Sequence, residues 1–156
     1  MENVCRTRKI LLIGNLDGIE TGVRQLIRVS PLETTQMKIG DDTITVPTEA
    51  EILRIKGILI LKRNATRDYL DFAALADHLG TERYLAALRR FDECYPQPND
   101  ESALMQLQVQ LAEPLPYDLE ALRLDEYSNL RKDWTDWEKV RQVCIELALR
   151  IFDLSL

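Results

Sequence analysis

Apolar positions along the chain repeat with two different periods, and the change falls near residue 48. Ahead of it the pattern is that of strands. The run "KILLIG" is β-rich and closes on the turn signal "NLDG", and "VRQLIRVS" alternates in part until Pro31 stops it. "QMKI" and "TITV" are separated only by "GDD", which predicts a tight hairpin whose Gly40 and Asp41 accept turn dihedrals. Three or four short strands are therefore expected before residue 48.

From Thr48 onward the spacing is helical. Thr48 and Glu51 form a T-x-x-E capping box, which predicts a helix from about Glu49 to Lys62. Gly57 inside it costs up to ~1 kcal/mol relative to alanine, and a glycine kept there implies close approach of a neighbour. A second helix is predicted from Thr66, with Arg67 and Asp68 in its first turn, to a stop at Gly80. A third is capped by Thr81 and carries Tyr84, Leu85, Leu88 and Phe91 on one stripe. "YPQPND" breaks the chain. "ESALMQLQVQLA" fits both periods, since Met105, Leu107, Val109 and Leu111 alternate while Leu104, Leu107 and Leu111 share a helix face; its helical neighbours assign it to helix. After a second break at "EPLPYD", Thr135 and Glu138 form another capping box. It precedes an amphipathic helix of about 19 residues bearing Trp137, Val140, Cys144, Leu147, Ile151 and Phe152. The order predicts an α+β fold, with a small antiparallel strand region over residues 1–47 and a helical bundle over residues 48–156. So few strands need a helical layer or further strands to cover them.

Composition narrows this picture. Of 156 residues 46% are apolar, enough for a real core in one domain. Twenty Lys and Arg stand against 26 Asp and Glu, so net charge gives no reason to expect nucleic acid or an anionic membrane as partner. The halves differ: residues 1–67 hold 11 basic and 8 acidic side chains, the remainder 9 and 18, so phosphate binding is favoured in the first half. Cys5, Cys94 and Cys144 lack any CxxC spacing, which argues against a disulfide framework or zinc and suits a reducing compartment. No apolar run is long enough to span a bilayer and no signal peptide is legible, so a soluble cytoplasmic protein is expected.

Two charges sit where apolar side chains are expected. On a helical wheel Lys56 falls among Ile52, Leu53, Leu59 and Ile60, and Asp68 shares its face with Phe72, Leu75 and Leu79. Asp71 lies at the border, within i, i+4 reach of Arg67. Only "RNAT" separates the two helices, which predicts an antiparallel hairpin bringing Lys56 within side-chain reach of Asp68. Each charge also has an ordinary structural explanation. First-turn aspartates are favoured by the helix dipole, a lysine can extend its ammonium to solvent, and Arg67–Asp71 is a common surface pair.

The stretch "RIKGILILKRNATRDYLDFAALADHLG" resembles the lysine and R-D-x-x-D motifs in the C-terminal part of the AbiEii/AbiGii toxin family of bacterial nucleotidyltransferases, over roughly residues 23–80. The resemblance implies a nucleotidyltransferase-like fold remnant and nucleotide transfer from a triphosphate to RNA, tRNA among the acceptors, in a toxin–antitoxin setting. By the same resemblance Lys56 and Asp68 match the catalytic positions and Arg67 and Asp71 the substrate-binding ones. Mg2+ and a nucleoside triphosphate would be required. The family's N-terminal G-G or G-S loop and its D-x-D metal pair are missing from this sequence, so metal ligands would have to come from a complementary N-terminal polypeptide, and an antitoxin partner is implied. The competing expectation is a non-catalytic helical interaction module in which Lys56 and Asp68 form a buried ion pair that fixes the helix hairpin. His78, the single histidine, lies near a helix end on the polar side, and no P-loop or GxGxxG is present.

Overall fold

The computed structural model describes residues 11–24, 28, 30–121, 124 and 130–154. Among the described residues two short antiparallel hairpins lead into six α-helices, the predicted α+β order. Strands β1 (Leu11–Leu16) and β2 (Ile19–Arg24) are joined through Asp17 and Gly18, both at positive φ (51° and 88°), the geometry that matches strand twist in a two-residue turn. Of the strand expected over "VRQLIRVS", Val23 and Arg24 close β2, and residues 25–27 and 29 lie outside the described residues. Strands β3 (Thr34–Ile39) and β4 (Asp42–Pro47) turn at Gly40 (φ 62°) and Asp41, as "GDD" predicts. Among the described residues the two hairpins are separate two-stranded sheets.

Helix α1 (Glu49–Arg63) is followed by α2 (Thr66–Leu79), α3 (Thr81–Leu88), the single turn α4 (Phe91–Cys94), α5 (Ala103–Ala112) and α6 (Trp137–Leu154). The α1–α2 hairpin packs on α3 and α5, and α6 closes the bundle against α5, α2 and α3. Leu53 of α1, Phe72 of α2, Tyr84 of α3, Leu107 of α5 and both Cys144 and Ile151 of α6 are fully buried in the shared core. Phe72 meets Tyr84 edge to face at 6.1 Å, and the Tyr84 hydroxyl donates to the Leu147 carbonyl oxygen at 3.1 Å, so its one polar atom is satisfied. For α5 the helical period wins. Ala103, Leu107 and Leu111 are buried at four-residue spacing, whereas Met105 and Val109, which a strand would have buried, are 44% and 68% exposed. Ser102 caps it, its hydroxyl accepting from the Met105 N–H at 3.0 Å.

Helix α2 begins at Thr66, as expected: its N–H and its hydroxyl both donate to Asp118 Oδ1 at 2.7 Å, so a distant residue from the "EPLPYD" break supplies the acceptor. The caps expected at Thr81 and Thr135 are re-sited. Thr81 opens α3 behind Gly80. At α6 the acceptor is Asp136, which takes the Glu138 N–H at 3.0 Å, while the Thr135 hydroxyl turns back to the Lys132 carbonyl.

Gly57 has the close neighbours its position implied. A Cβ there would stand 2.9 Å from Phe91 Cε2 and 3.0 Å from Leu107 Cδ2, so α4 and α5 rest directly on the α1 backbone. Gly57→Ala is expected to lower stability by about 1 kcal/mol or more, because overpacking of ~1–3 kcal/mol exceeds the helix-propensity gain of up to ~1 kcal/mol. Urea unfolding followed by far-UV circular dichroism would measure it; a stabilised variant would show that Phe91 and Leu107 move aside freely.

Candidate functional site

The end of α1 is built by local chemistry. Asn64 takes the left-handed conformation (φ 51°) and stops the helix, and its side-chain amide donates to the Leu115 carbonyl at 2.7 Å. Its Oδ1 accepts from the Tyr69 hydroxyl at 2.5 Å and from Gln110 Nε2 at 2.8 Å. Arg63, the last residue of α1, reaches across the elbow. Its Nε donates to Asp68 Oδ2 at 2.9 Å and its Nη2 to Asp68 Oδ1, a two-pronged grip on a carboxylate with no exposed surface.

That grip corrects the expected pairing. Lys56 does not meet Asp68. Its ammonium donates to Asp71 Oδ2 at 2.5 Å, and Arg67 Nε stands 3.8 Å from the same oxygen. Lys56, Arg67 and Asp71 form one partly exposed cluster, while Asp68 and Arg63 form another around the elbow. The four residues singled out by the motif thus divide between two sets. Lys56 is also less central than the wheel implied, because α1 is rotated by roughly a third of a turn from the expected arc. Leu53, Arg54, Gly57 and Ile58 face the core, whereas Ile52 is exposed and Lys56 only half-buried.

Two further buried charges, Glu51 and Arg54, are ones the hydropathy pattern passed over. Glu51, fully buried, accepts from Arg28 at Oε1 and from Arg54 Nη2 (3.0 Å) and the Glu33 N–H (3.1 Å) at Oε2. Arg54 also donates from Nη2 to Glu33 at 2.7 Å and from Nη1 to the Ala87 carbonyl at 3.0 Å. Glu51 is therefore only half of the expected capping box. Its N–H donates to Thr48 Oγ1 at 3.1 Å, but its carboxylate serves two arginines, and the Thr48 N–H donates to the Glu33 carbonyl instead. Burial pushes the Glu51 carboxyl up, and the Glu33 N–H together with Arg54 and Arg28 outweighs that and holds it below its ordinary value. The available signal was the i, i+3 spacing of Glu51 and Arg54 on one side of α1. Arg28 Nη2 further donates to Ser30 Oγ (2.9 Å) and to Cys94 Sγ (3.2 Å), and its guanidinium lies 5.4 Å from the centre of the Tyr95 ring. This cluster fastens the segment ahead of β3 to α1 and α4.

These arrangements hold opposite charges against each other. Among the described residues no group of three or more His, Cys, Asp or Glu is placed to hold a metal ion. His78 lies on the surface with Nε2 3.1 Å from Glu49 Oε1, and Glu49 also accepts from Arg83 at 2.5 Å. Burial pushes the Cys144 thiol up to about 12, which leaves it a core side chain. A shallow groove of about 470 Å³ between α1 and α5 is lined by Leu61, Met105, Gln106, Val109 and Gln110, a surface suited to apolar contact and amide hydrogen bonds. No described helix is long and apolar enough to cross a membrane.

Removing Glu51 strands two arginines. Glu51→Ala is expected to cost about 3 to 5 kcal/mol, against less than about 1 kcal/mol for Lys56→Met at the partly exposed pair. Because the folded Glu51 carboxyl is held low, its contribution is complete above the ordinary carboxylate range and disappears as pH falls through the folded value. Glu51→Gln should therefore flatten the loss of stability below pH ~4.5, read by urea unfolding at stepped pH. Equal costs for Glu51→Ala and Lys56→Met would contradict this division of the charges.

No protein-family model matches the chain, and no solved structure matches it. Curated relatives do. The mycolic acid-containing lipids exporter MmpL11 of Mycolicibacterium smegmatis is 35% identical over 129 residues, covering 81% of this chain and 13% of the exporter. The heme uptake protein MmpL11 of Mycobacterium tuberculosis H37Rv is 36% identical over the same length, and the probable transport protein MmpL11 of Mycobacterium leprae 32%. This overturns the AbiEii/AbiGii resemblance and with it the nucleotidyltransferase and toxin–antitoxin reading. The lysine and R-D-x-x-D spacing is that of an ion-paired helix elbow, and the detectable relatives are transport proteins. The chain spans about one eighth of the length of those relatives, and it is to that one segment of the MmpL11 transport proteins that it is similar.

Proposed function

We propose that this chain is a non-catalytic interaction module that works with transport machinery of the MmpL11 kind, fitting contacts between proteins and leaving cargo translocation to other parts of that machinery. The observation that carries the reading is the similarity itself, which takes in four-fifths of this chain and only 13% of a much longer transport protein. The charges support it. Lys56 and Asp71, Arg63 and Asp68, and Glu51 with its two arginines are engaged with one another and keep the helices and the β3–β4 hairpin in register. Such pairs contribute fixed geometry, which an interaction surface needs. The relatives are named for export of mycolic acid-containing lipids and for heme uptake. In this reading the chain acts beside the passage of apolar cargo of that kind, as a positioning part.

A segment exchange tests the proposal. In M. smegmatis cells lacking their own MmpL11, three versions of the exporter would be compared: intact, with the matching segment deleted, and with that segment replaced by this chain. Surface mycolic acid-containing lipid is the readout, with exporter abundance checked by immunoblot. The exchange is expected to restore most of the export that the deletion loses. An exchanged exporter present at normal abundance but no better than the deletion would sink the reading.

A further inference from the structure

The ion cluster around Glu51 also holds a sulfur atom, and the hydrogen bonding beside that atom is incomplete. Cys94, the last residue of α4, is 2% exposed, and its Sγ accepts from Arg28 Nη2 at 3.2 Å and from Ser30 Oγ at 3.7 Å. Nε and Nη2 share one edge of a planar guanidinium, the edge that grips a carboxylate through two parallel bonds. In Arg28 only one prong of that fork is used. The side chain is 7% exposed, Nη1 is taken by Glu51, and the buried Nε meets no acceptor. Arg54 Nε, on the other arginine that holds Glu51, is buried without an acceptor as well, and so is the hydroxyl of Tyr95, whose ring Arg28 overlies. Buried donors are normally paired, so three of them in one cluster mark a place for oxygen atoms that the reduced thiol does not supply.

We propose that Cys94 is an oxidation site for hydroperoxides and that the Nε–Nη2 edge of Arg28 holds the oxygens the sulfur gains. The sulfur attacks one peroxide oxygen, an S–O bond forms as the O–O bond breaks, and the departing hydroxide takes the thiol proton and leaves as water. Sulfur gives up two electrons and the peroxide is reduced. A second peroxide carries the sulfenic acid to a sulfinic acid with release of one more water. Loss of the acid proton then presents two anionic oxygens to the two prongs. Access runs through the residues that touch the sulfur. Arg28 and Ser30 stand ahead of β3, outside any helix or strand, and as whole residues are only partly buried, so local opening there admits a molecule of two oxygen atoms. The product would tie residue 28 to α4 by two charge-assisted bonds in place of one weak bond to sulfur, which locks the segment ahead of β3 onto the bundle. Cys144, packed in the apolar core of α6, is the internal contrast. This site stands apart from the transport reading, since it requires only the chain's own atoms.

Hydrogen peroxide added to the full chain, with and without dimedone to capture sulfenic acid, tests it, with peptide mass spectrometry reading Cys94 against Cys144. Cys94 is expected to gain the dimedone adduct, or two oxygens when dimedone is left out, while Cys144 stays reduced. Arg28→Lys keeps a cation and removes the fork. It should lower the rate of peroxide oxidation at Cys94 at least about tenfold relative to alkylation by iodoacetamide, which needs the same access and no oxygen site. A second arm does not depend on access. Cys94→Asp places a carboxylate where the sulfinate would stand, and urea unfolding should show it raising the unfolding constant at least about tenfold more in an Arg28→Met background than with Arg28 present. Cys94 no more oxidised than Cys144, a rate ratio unchanged by Arg28→Lys, or a cost of Cys94→Asp indifferent to Arg28 would overturn the proposal.

Discussion

The turn between α1 and α2 is the constraint from which the arrangement of the site follows. Asn64 reverses the chain by taking a left-handed conformation, and the two helices can then run back along each other only if the exposed groups at the elbow find partners. They find them more than fifty residues away. Asp118 takes the first N–H and the hydroxyl of α2, Asn64 binds the Leu115 carbonyl, and the Tyr117 N–H returns to the Asn64 carbonyl. A proline-containing break that looks like a mere interruption of helices is the clamp on the helix hairpin. With the elbow fixed, Arg63 lies over Asp68 and Lys56 over Asp71.

Burial grades these charges. Asp68 and Glu51 have no exposed surface and are met by two or more donors each, so neither carboxylate is buried without hydrogen-bond partners. Lys56, Arg67 and Asp71 keep part of their hydration and gain less from pairing. A buried charge with partners on different elements acts as a register pin. Arg28 and Glu33 come from the segment leading into β3, Glu51 and Arg54 from α1, and the Ala87 carbonyl from α3, so one cluster joins three parts of the chain. The same positions that invite a catalytic interpretation are those a small domain uses to hold itself in one packing.

The surfaces left over have a different character. The β3–β4 ribbon shows apolar side chains to solvent, as does the uncharged helix α5 through Met105 and Val109, while the charged residues of the elbow face one another. The buried charges described are paired, and the β3–β4 and α5 faces present apolar side chains, the features on which the proposed contact with other polypeptides would draw. This agrees with similarity to one segment of a long transport protein, where most of the polypeptide lies outside the matched region.

Read alone, the sequence determined the order of elements, the Gly40 turn, the bounds of α1, the stop at Gly80 and the crowding at Gly57, because each rests on local chemistry within a few residues. It also contained the motif that led to the nucleotidyltransferase resemblance. Spacing on adjacent helices reports which residues share a neighbourhood and is silent on which atoms meet. Tertiary structure decided three things. It chose which face of α1 is inward, since apolar and charged residues are spread around that helix and give it little orienting pattern of its own. It paired Asp68 with Arg63 and Lys56 with Asp71 through the angle of the elbow. It also assembled Glu51, Arg28, Arg54 and Glu33, whose separations of up to 26 residues carry no periodic signal, because a buried ion cluster is defined by contacts across elements and by the exclusion of water around them.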